Sequence, residues 1–136
     1  VDDIWQDTNT NELIVVDYKS QASSYKVETK SYLSSPFHEG YKIQMDFYAY
    51  LLTEMGFKVS NTAYFLVCNA NRGAEGFFGK LDFSESLVPY SWNSDWIPQR
   101  LVEMLKTMNS EEMPHSNKSC ENCAYAMQRK AVDQMS

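Results

Sequence analysis

The sequence predicts an α/β domain built on a mixed central β-sheet flanked by helices. Three observations point there. Short β-branched and aromatic runs occur in pairs, first at the start of the chain and again in its middle. Longer segments carry apolar residues at helical spacing. The resulting order is strand, strand, helix, strand, strand, helix, helix, which mixes the two kinds of element. The 136 residues suffice to bury a core as one domain, 1–136, with 109–136 as a C-terminal loop and helix.

Each element rests on a local pattern. Residues 1–6 and 12–19 read as strands, from Ile4 and Trp5 and from Leu13-Ile14-Val15-Val16. Asp7-Thr8-Asn9-Thr10-Asn11 between them is turn chemistry, so the pair is expected to form an antiparallel hairpin. The chain opens on Val1-Asp2-Asp3-Ile4-Trp5, which reads as the middle of a strand, and an upstream segment is expected. Residues 20–38 are polar and Ser-rich, with Pro36 near the end, and read as a long loop. Residues 39–55 read as a helix, with Ile43, Phe47, Leu51 and Met55 as its apolar stripe and Gly56 as its C-terminal stop. Residues 58–68 and 75–83 are strand candidates, separated by Asn69-Ala70-Asn71-Arg72-Gly73. Residues 95–108 read as an amphipathic helix with Ile97, Leu101, Met104, Leu105 and Met108 on one side, entered through Ser94 or Asp95. Trp92 and Trp96 are assigned to core and helix-entry packing. Residues 109–119 are a polar loop, and the segment from Cys120 to Met135 is a third helix.

Composition narrows the function. Hydrophobic residues make up 43% and charged residues 22%, an ordinary globular balance. No apolar run approaches the roughly 20 residues that span a bilayer, and the N-terminus has no signal-peptide pattern, so no membrane partner is expected. Three cysteines do not make a disulfide framework, which sets a reducing, cytoplasmic location as the expectation. The net charge of −6 argues against a protein that coats nucleic acid by bulk charge. It leaves room for an enzyme whose metal site concentrates carboxylates.

Such a concentration is visible at Asp17-Tyr18-Lys19. Alternation along a strand puts Asp17 and Lys19 on one face and Tyr18 on the other. If the hairpin turn is centred near Asn9–Thr10, Asp2 lies opposite Asp17, and two carboxylates and a lysine converge at one edge of the sheet. A one-residue slip would exchange Asp2 for Asp3. Two carboxylates bind a hard divalent cation, Mg²⁺ or Mn²⁺, and such a cation polarises a phosphodiester and acidifies bound water. A neighbouring lysine can orient the attacking water and offset transition-state charge. The bland reading of the same residues is a surface hairpin with a salt bridge. On the following helix, Gln44 and Tyr48 stand four residues apart and share a face, where they could hold a water or a phosphate oxygen.

Val1-Asp2-Asp3-Ile4, then Val15-Val16-Asp17-Tyr18-Lys19-Ser20, then Gln44-Met45-Asp46-Phe47-Tyr48 together resemble the RecB-like exonuclease branch of the PD-(D/E)xK nuclease superfamily. That branch shows I/V-D, D-Y-K-[ST] and Q-x-x-x-Y in this order. The likeness is close from residue 1 to about 56 and holds in outline beyond. It implies a restriction-endonuclease-like core and metal-dependent hydrolysis of DNA, by an exonuclease of recombination and repair or of phage type. Carried over by residue, the resemblance makes Asp2 and Asp17 metal ligands, with the Tyr18 backbone carbonyl completing the shell. Lys19 becomes the catalytic lysine, and Gln44 and Tyr48 the third motif. The branch places its first acid directly after a branched apolar residue, here Val1, which favours Asp2 over Asp3. It also carries an acidic or His ligand on an upstream helix.

Iron–sulfur members of the branch have a C-terminal C-x-x-C, as at Cys120-Glu121-Asn122-Cys123, followed by a third cysteine where this chain has Arg129. Two thiolates do not close a zinc or iron–sulfur site. The pair is therefore read as a partial site, either a relic or a half completed by residues outside this sequence. His115 is the nearest further donor, and Cys68 reads as a buried apolar residue. Lys26, Lys30 and Lys42, interleaved with Tyr25, Tyr32 and Tyr41, are candidate contacts for DNA phosphates and bases, against the alternative of a solvated loop. The rival to the enzyme reading is a catalytically silent nucleic-acid-binding or scaffold domain on the same fold.

Overall fold

The computed structural model describes residues 1–117 and 119–134. Its elements are β1 (Asp3–Gln6), β2 (Leu13–Ser23), α1 (Thr29–Ser34), a 3-10 turn (Pro36–His38), α2 (Glu39–Glu54), β3 (Thr62–Asn71), β4 (Phe83–Ser91), α3 (Ile97–Met108) and α4 (Glu121–Asp133). The chain divides into two compact units, Val1–Pro98 and Gln99–Ser136. No helix among the described residues is long and apolar enough to cross a membrane.

The first unit contains one four-stranded sheet in the order β1-β2-β3-β4. β1 and β2 form the expected hairpin, with Asp3 opposite Val16 and Gln6 opposite Leu13, which centres the turn on Asn9–Thr10. Asn11 takes the left-handed backbone there with φ 58°, a conformation asparagine tolerates better than most residues. β2 and β3 run parallel, joined by the crossover that carries α1 and α2, and β3 pairs antiparallel with β4. The sheet is thus mixed and flanked by helices, as the sequence predicts.

The core lies on one face of that sheet. Val15, Phe65, Val67 and Val88 cluster with Met45 and Ala49 of α2 and Tyr32 of α1. Each buried Val, Phe or Met there contributes about 1.5–3 kcal/mol relative to exposure. The period-2 pattern is clearest in β3, where Ala63, Phe65, Val67 and Asn69 are buried in alternation.

Four sequence expectations need correction. The long loop 20–38 is only partly a loop: β2 runs to Ser23, and residues 29–38 hold α1 and the 3-10 turn. Parallel pairing with β3 through Asn71 supplies the backbone partners that extend β2. The strand expected at 75–83 lies instead at Phe83–Ser91. Gly73, Gly76 and Gly79 make the earlier stretch a connection despite Phe77 and Phe78. Pro89 makes the true strand look interrupted, yet β4 is an edge strand, where a missing N–H costs no ladder bond. The apolar stripe of α2 is turned as well. Met45 and Ala49 are buried and Leu52 packs on the core, whereas Ile43, Leu51 and Met55 are exposed. Finally, of the stripe on α3 only Ile97 is buried, and Leu101, Met104, Leu105 and Met108 are exposed.

Candidate active site

β2 presents Asp17, Lys19, Gln21 and Ser23 on one face, because alternate strand residues share a side. This is the face of Phe65, Val67 and Asn69, their neighbours on β3. Asp17 therefore sits at the margin of the core and is only 2% exposed. One step beyond the Asp3–Val16 pair, the hairpin register carries Asp2 to the position across from Asp17. The slip that would have put Asp3 there does not occur. Asp3 instead accepts hydrogen bonds from the Tyr18 hydroxyl at 2.8 Å and the Trp5 indole at 2.9 Å on the other side.

Asp2 Oδ2 accepts the Tyr18 backbone N–H at 2.7 Å. That bond is the main reason the Asp2 carboxyl is held below the ordinary aspartate range. Asp17 moves the opposite way. Burial raises it, and the adjacent Asp2 adds to the rise, more than the Lys19 ammonium lowers it. In a strand, a residue's N–H and C=O point to the same side. The Tyr18 carbonyl thus faces the margin where Asp2 sits, beyond the four residues that β1 pairs.

Lys19 is held from three directions. Its ammonium pairs with Asp17 Oδ2. It donates to Gln44 Oε1 at 2.9 Å. It also stands 4.4 Å above the centre of the Tyr41 ring. Gln44 in turn donates from Nε2 to the Tyr48 hydroxyl at 2.8 Å, across the shared i, i+4 face of α2. The structure thus joins Asp2, Asp17, Tyr18, Lys19, Gln44 and Tyr48 in one continuous set of contacts.

The other candidate residues lie apart from that set. Lys26, with Tyr25, lines two adjoining hollows of about 310 and 210 Å³ past the end of β2. Lys30 lies on α1. Lys42 is engaged by the Leu33 carbonyl at 3.1 Å and by Glu39, which ties α1 to α2. In the second unit, Cys120 is the N-cap of α4 and accepts the Cys123 N–H at 3.3 Å. The Cys123 thiol and N–H lower the Cys120 thiol from its ordinary value, and Cys120 raises Cys123. Cys68 is half-buried on the sheet face opposite Phe65 and Val67. Arg129 pairs with Asp133 at 3.4 Å.

Among the described residues, no group of three or more His, Cys, Asp or Glu side chains is arranged to hold a metal ion. Asp2 and Asp17 with the Tyr18 carbonyl nevertheless form an all-oxygen donor set. Mg²⁺-type ions use such sets, with one or two carboxylates and the rest of the shell from water and phosphate. The Asp17 carboxylate, raised mainly by burial and further by Asp2, is also a group that a cation would relieve. The residues fit a hard divalent cation.

Sequence reasoning missed two features. Asp46 is 5% exposed. It accepts the Tyr90 hydroxyl at 2.9 Å, the Asn93 N–H at 3.0 Å and the Trp96 indole at 3.0 Å. These bonds fix the rotation of α2 and so the direction in which Gln44 points. The second is Asn69, also 5% exposed. It accepts from Gln21 at 3.2 Å and donates to the Ser23 and Tyr25 carbonyls at 3.2 and 3.4 Å. An isolated Asp within an otherwise apolar helix window, followed by indole and phenol donors downstream, is the signal that could have found the first.

The family model of the PD-(D/E)XK nuclease superfamily matches residues 1–128. No curated protein and no solved structure gives a match to this chain.

Proposed function

This chain belongs to the PD-(D/E)XK nuclease superfamily, and from that premise we propose that it is a divalent-metal-dependent nuclease that hydrolyses DNA as an exonuclease of the RecB-like branch. The observation that carries the reading is the Lys19 ammonium, held by Asp17, Gln44 and Tyr41 beside a second carboxylate, Asp2. Holding a half-buried lysine with three partners costs side-chain entropy, which favours a role beyond packing.

Asp2, Asp17 and the Tyr18 carbonyl would hold Mg²⁺ or Mn²⁺, which polarises the phosphodiester and acidifies the attacking water. Lys19 sets the direction of that water and offsets negative charge on the phosphoryl oxygens as it develops. Gln44 keeps the ammonium in place, and Tyr48 orients the Gln44 amide so that its oxygen faces Lys19. Lys26 and Tyr25, past the end of β2, are proposed to contact the flanking phosphates and bases. Lys30 is proposed as a weaker phosphate contact. Lys42, already engaged by Leu33 and Glu39, is proposed to act mainly by setting the approach of α1 to α2. Cys120 and Cys123 are proposed as half of a thiolate site, with the capping role as their contribution within this chain.

The test compares linear and covalently closed DNA, single- and double-stranded, in Mn²⁺ and in EDTA, with wild type and Lys19→Ala. Metal-dependent loss of linear substrate only, abolished in the variant, is the expected result. Cleavage of closed circles would replace the exonuclease reading with an endonuclease one. Binding of DNA with no hydrolysis in any metal would leave a silent nucleic-acid-binding domain.

A further inference from the structure

Lys19 has a third partner that is neither an acid nor an amide. Its ammonium lies 4.4 Å from the centre of the Tyr41 ring, within the range of a cation–π contact. Tyr41 does not stand alone. The His38 imidazole lies against it with centroids 5.3 Å apart and planes at 18°. His38 also meets Tyr32, with centroids 4.1 Å apart. Tyr32 is buried and packs on Phe65 in the core at 5.8 Å. His38 Nδ1 is 2.8 Å from the Tyr32 carbonyl oxygen. A carbonyl can only accept, so Nδ1 carries the proton and the ring orientation is fixed. The column therefore runs from the sheet core through Tyr32, His38 and Tyr41 to the lysine ammonium.

Within the nuclease reading, we infer that Tyr41, stacked against His38, is a positioning residue that fixes the Lys19 ammonium over its ring face. The physical need is plain. Asp17 lies along the strand from Lys19, and Gln44 approaches from α2. Once a cation draws on the Asp17 carboxylate, the ion pair to Lys19 weakens, and a neutral partner that no metal competes for keeps the ammonium where it is. An aromatic face does this without neutralising the charge that the reaction uses. His38 is held in place by the 3-10 turn Pro36–His38.

The experiment uses the whole chain with Tyr41→Leu, Tyr41→Phe and His38→Ala. Two readouts are taken. One is the rate of reductive methylation of Lys19 in metal-free protein, followed by peptide mass spectrometry. The other is kcat and KM on linear DNA with Mn²⁺. Leucine keeps bulk and removes the ring face, so Tyr41→Leu is expected to label Lys19 several times faster. It should lower kcat about fivefold to thirtyfold, the span of a partly desolvated cation–π contact, and leave KM and the unfolding midpoint near wild type. Tyr41→Phe retains the face and is expected to restore both readouts, and His38→Ala should fall between. Unchanged labelling in Tyr41→Leu would overturn the inference, as would Tyr41→Phe behaving like Tyr41→Leu. If labelling shifts as expected while wild type shows no hydrolysis, the positioning stands and the nuclease reading is what fails.

Discussion

Removing the Asp46 carboxylate is a direct test of how α2 is locked in the orientation that brings Gln44 to Lys19. The carboxylate receives three hydrogen bonds at 2.9–3.0 Å. Burial, reinforced by Asp46 itself, pushes the Tyr90 phenol far up, so it stays a donor at any working pH. In Asp46→Ala, the half-buried Tyr90 hydroxyl and Trp96 indole lose their acceptor, at about 1–2 kcal/mol each. The Asn93 N–H is exposed enough to turn to water and adds about 0.5 kcal/mol or less. The total is about 3 kcal/mol, a large share of the roughly 5–15 kcal/mol that holds a domain together. Asp46→Asn keeps an acceptor for Tyr90 and Asn93 on Oδ1 but sets an NH₂ against the Trp96 N–H, and should cost about 1–2 kcal/mol. Urea unfolding followed by tryptophan fluorescence measures both, and a double-mutant cycle with Tyr90→Phe isolates the coupling. An Asp46→Ala protein within about 0.5 kcal/mol of wild type, or a cycle with no coupling, would refute the claim that this carboxylate pins the helix. A weaker hold on Gln44 should also show as lower turnover in Asp46→Asn.

Other outcomes follow from the same geometry. Burial raises Asp17, so this group keeps its proton to higher pH than an ordinary aspartate. Its contribution to apo stability is full below the unfolded-state value and is lost as pH rises through the raised folded-state value. Cation binding needs the deprotonated form, so Mn²⁺ affinity measured by calorimetry should decline with falling pH before an ordinary aspartate would protonate. A flat profile over that range would contradict the Asp17 assignment. Asn69→Ala should destabilise by about 0.5–1.5 kcal/mol, since its amide leaves the Ser23 and Tyr25 carbonyls, of which the first keeps the Arg72 N–H and the second can turn to water. The same substitution should quicken limited proteolysis between residues 23 and 28, and an unchanged cleavage rate would count against the anchoring role.

The parts of the site that lie on the hairpin were legible in the sequence because strand chemistry is local. Turn residues around Asn9–Thr10 fix the register, and the register alone brings Asp2 across from Asp17. Period-2 alternation then puts Lys19 on the same face as Asp17. The i, i+4 spacing likewise put Gln44 and Tyr48 on one face of α2, where they bond to each other. What was not legible depends on long-range partners. The stripe Ile43, Phe47, Leu51, Met55 has good helical spacing, yet α2 turns Met45 and Ala49 inward because Asp46 finds donors 44 to 50 residues away. Periodicity cannot weigh a buried carboxylate against apolar residues without knowing those donors. Pro89 misled for a related reason: whether a proline breaks a strand depends on whether the strand is at an edge, and only the sheet order says so.

β1 pairs with only the first four residues of an eleven-residue β2. From Tyr18 onward the two sides of that strand meet different environments. Lys19, Gln21 and Ser23 direct their backbone groups toward β3, while Tyr18, Ser20 and Ala22 direct theirs toward a margin where no strand among the described residues pairs with them and Asp2 accepts the Tyr18 N–H. Amide protons along this stretch should therefore exchange with solvent deuterium in alternation, slow at residues 19, 21 and 23 and fast at 20 and 22. The strand that carries the lysine would be rigid along one edge and wet along the other.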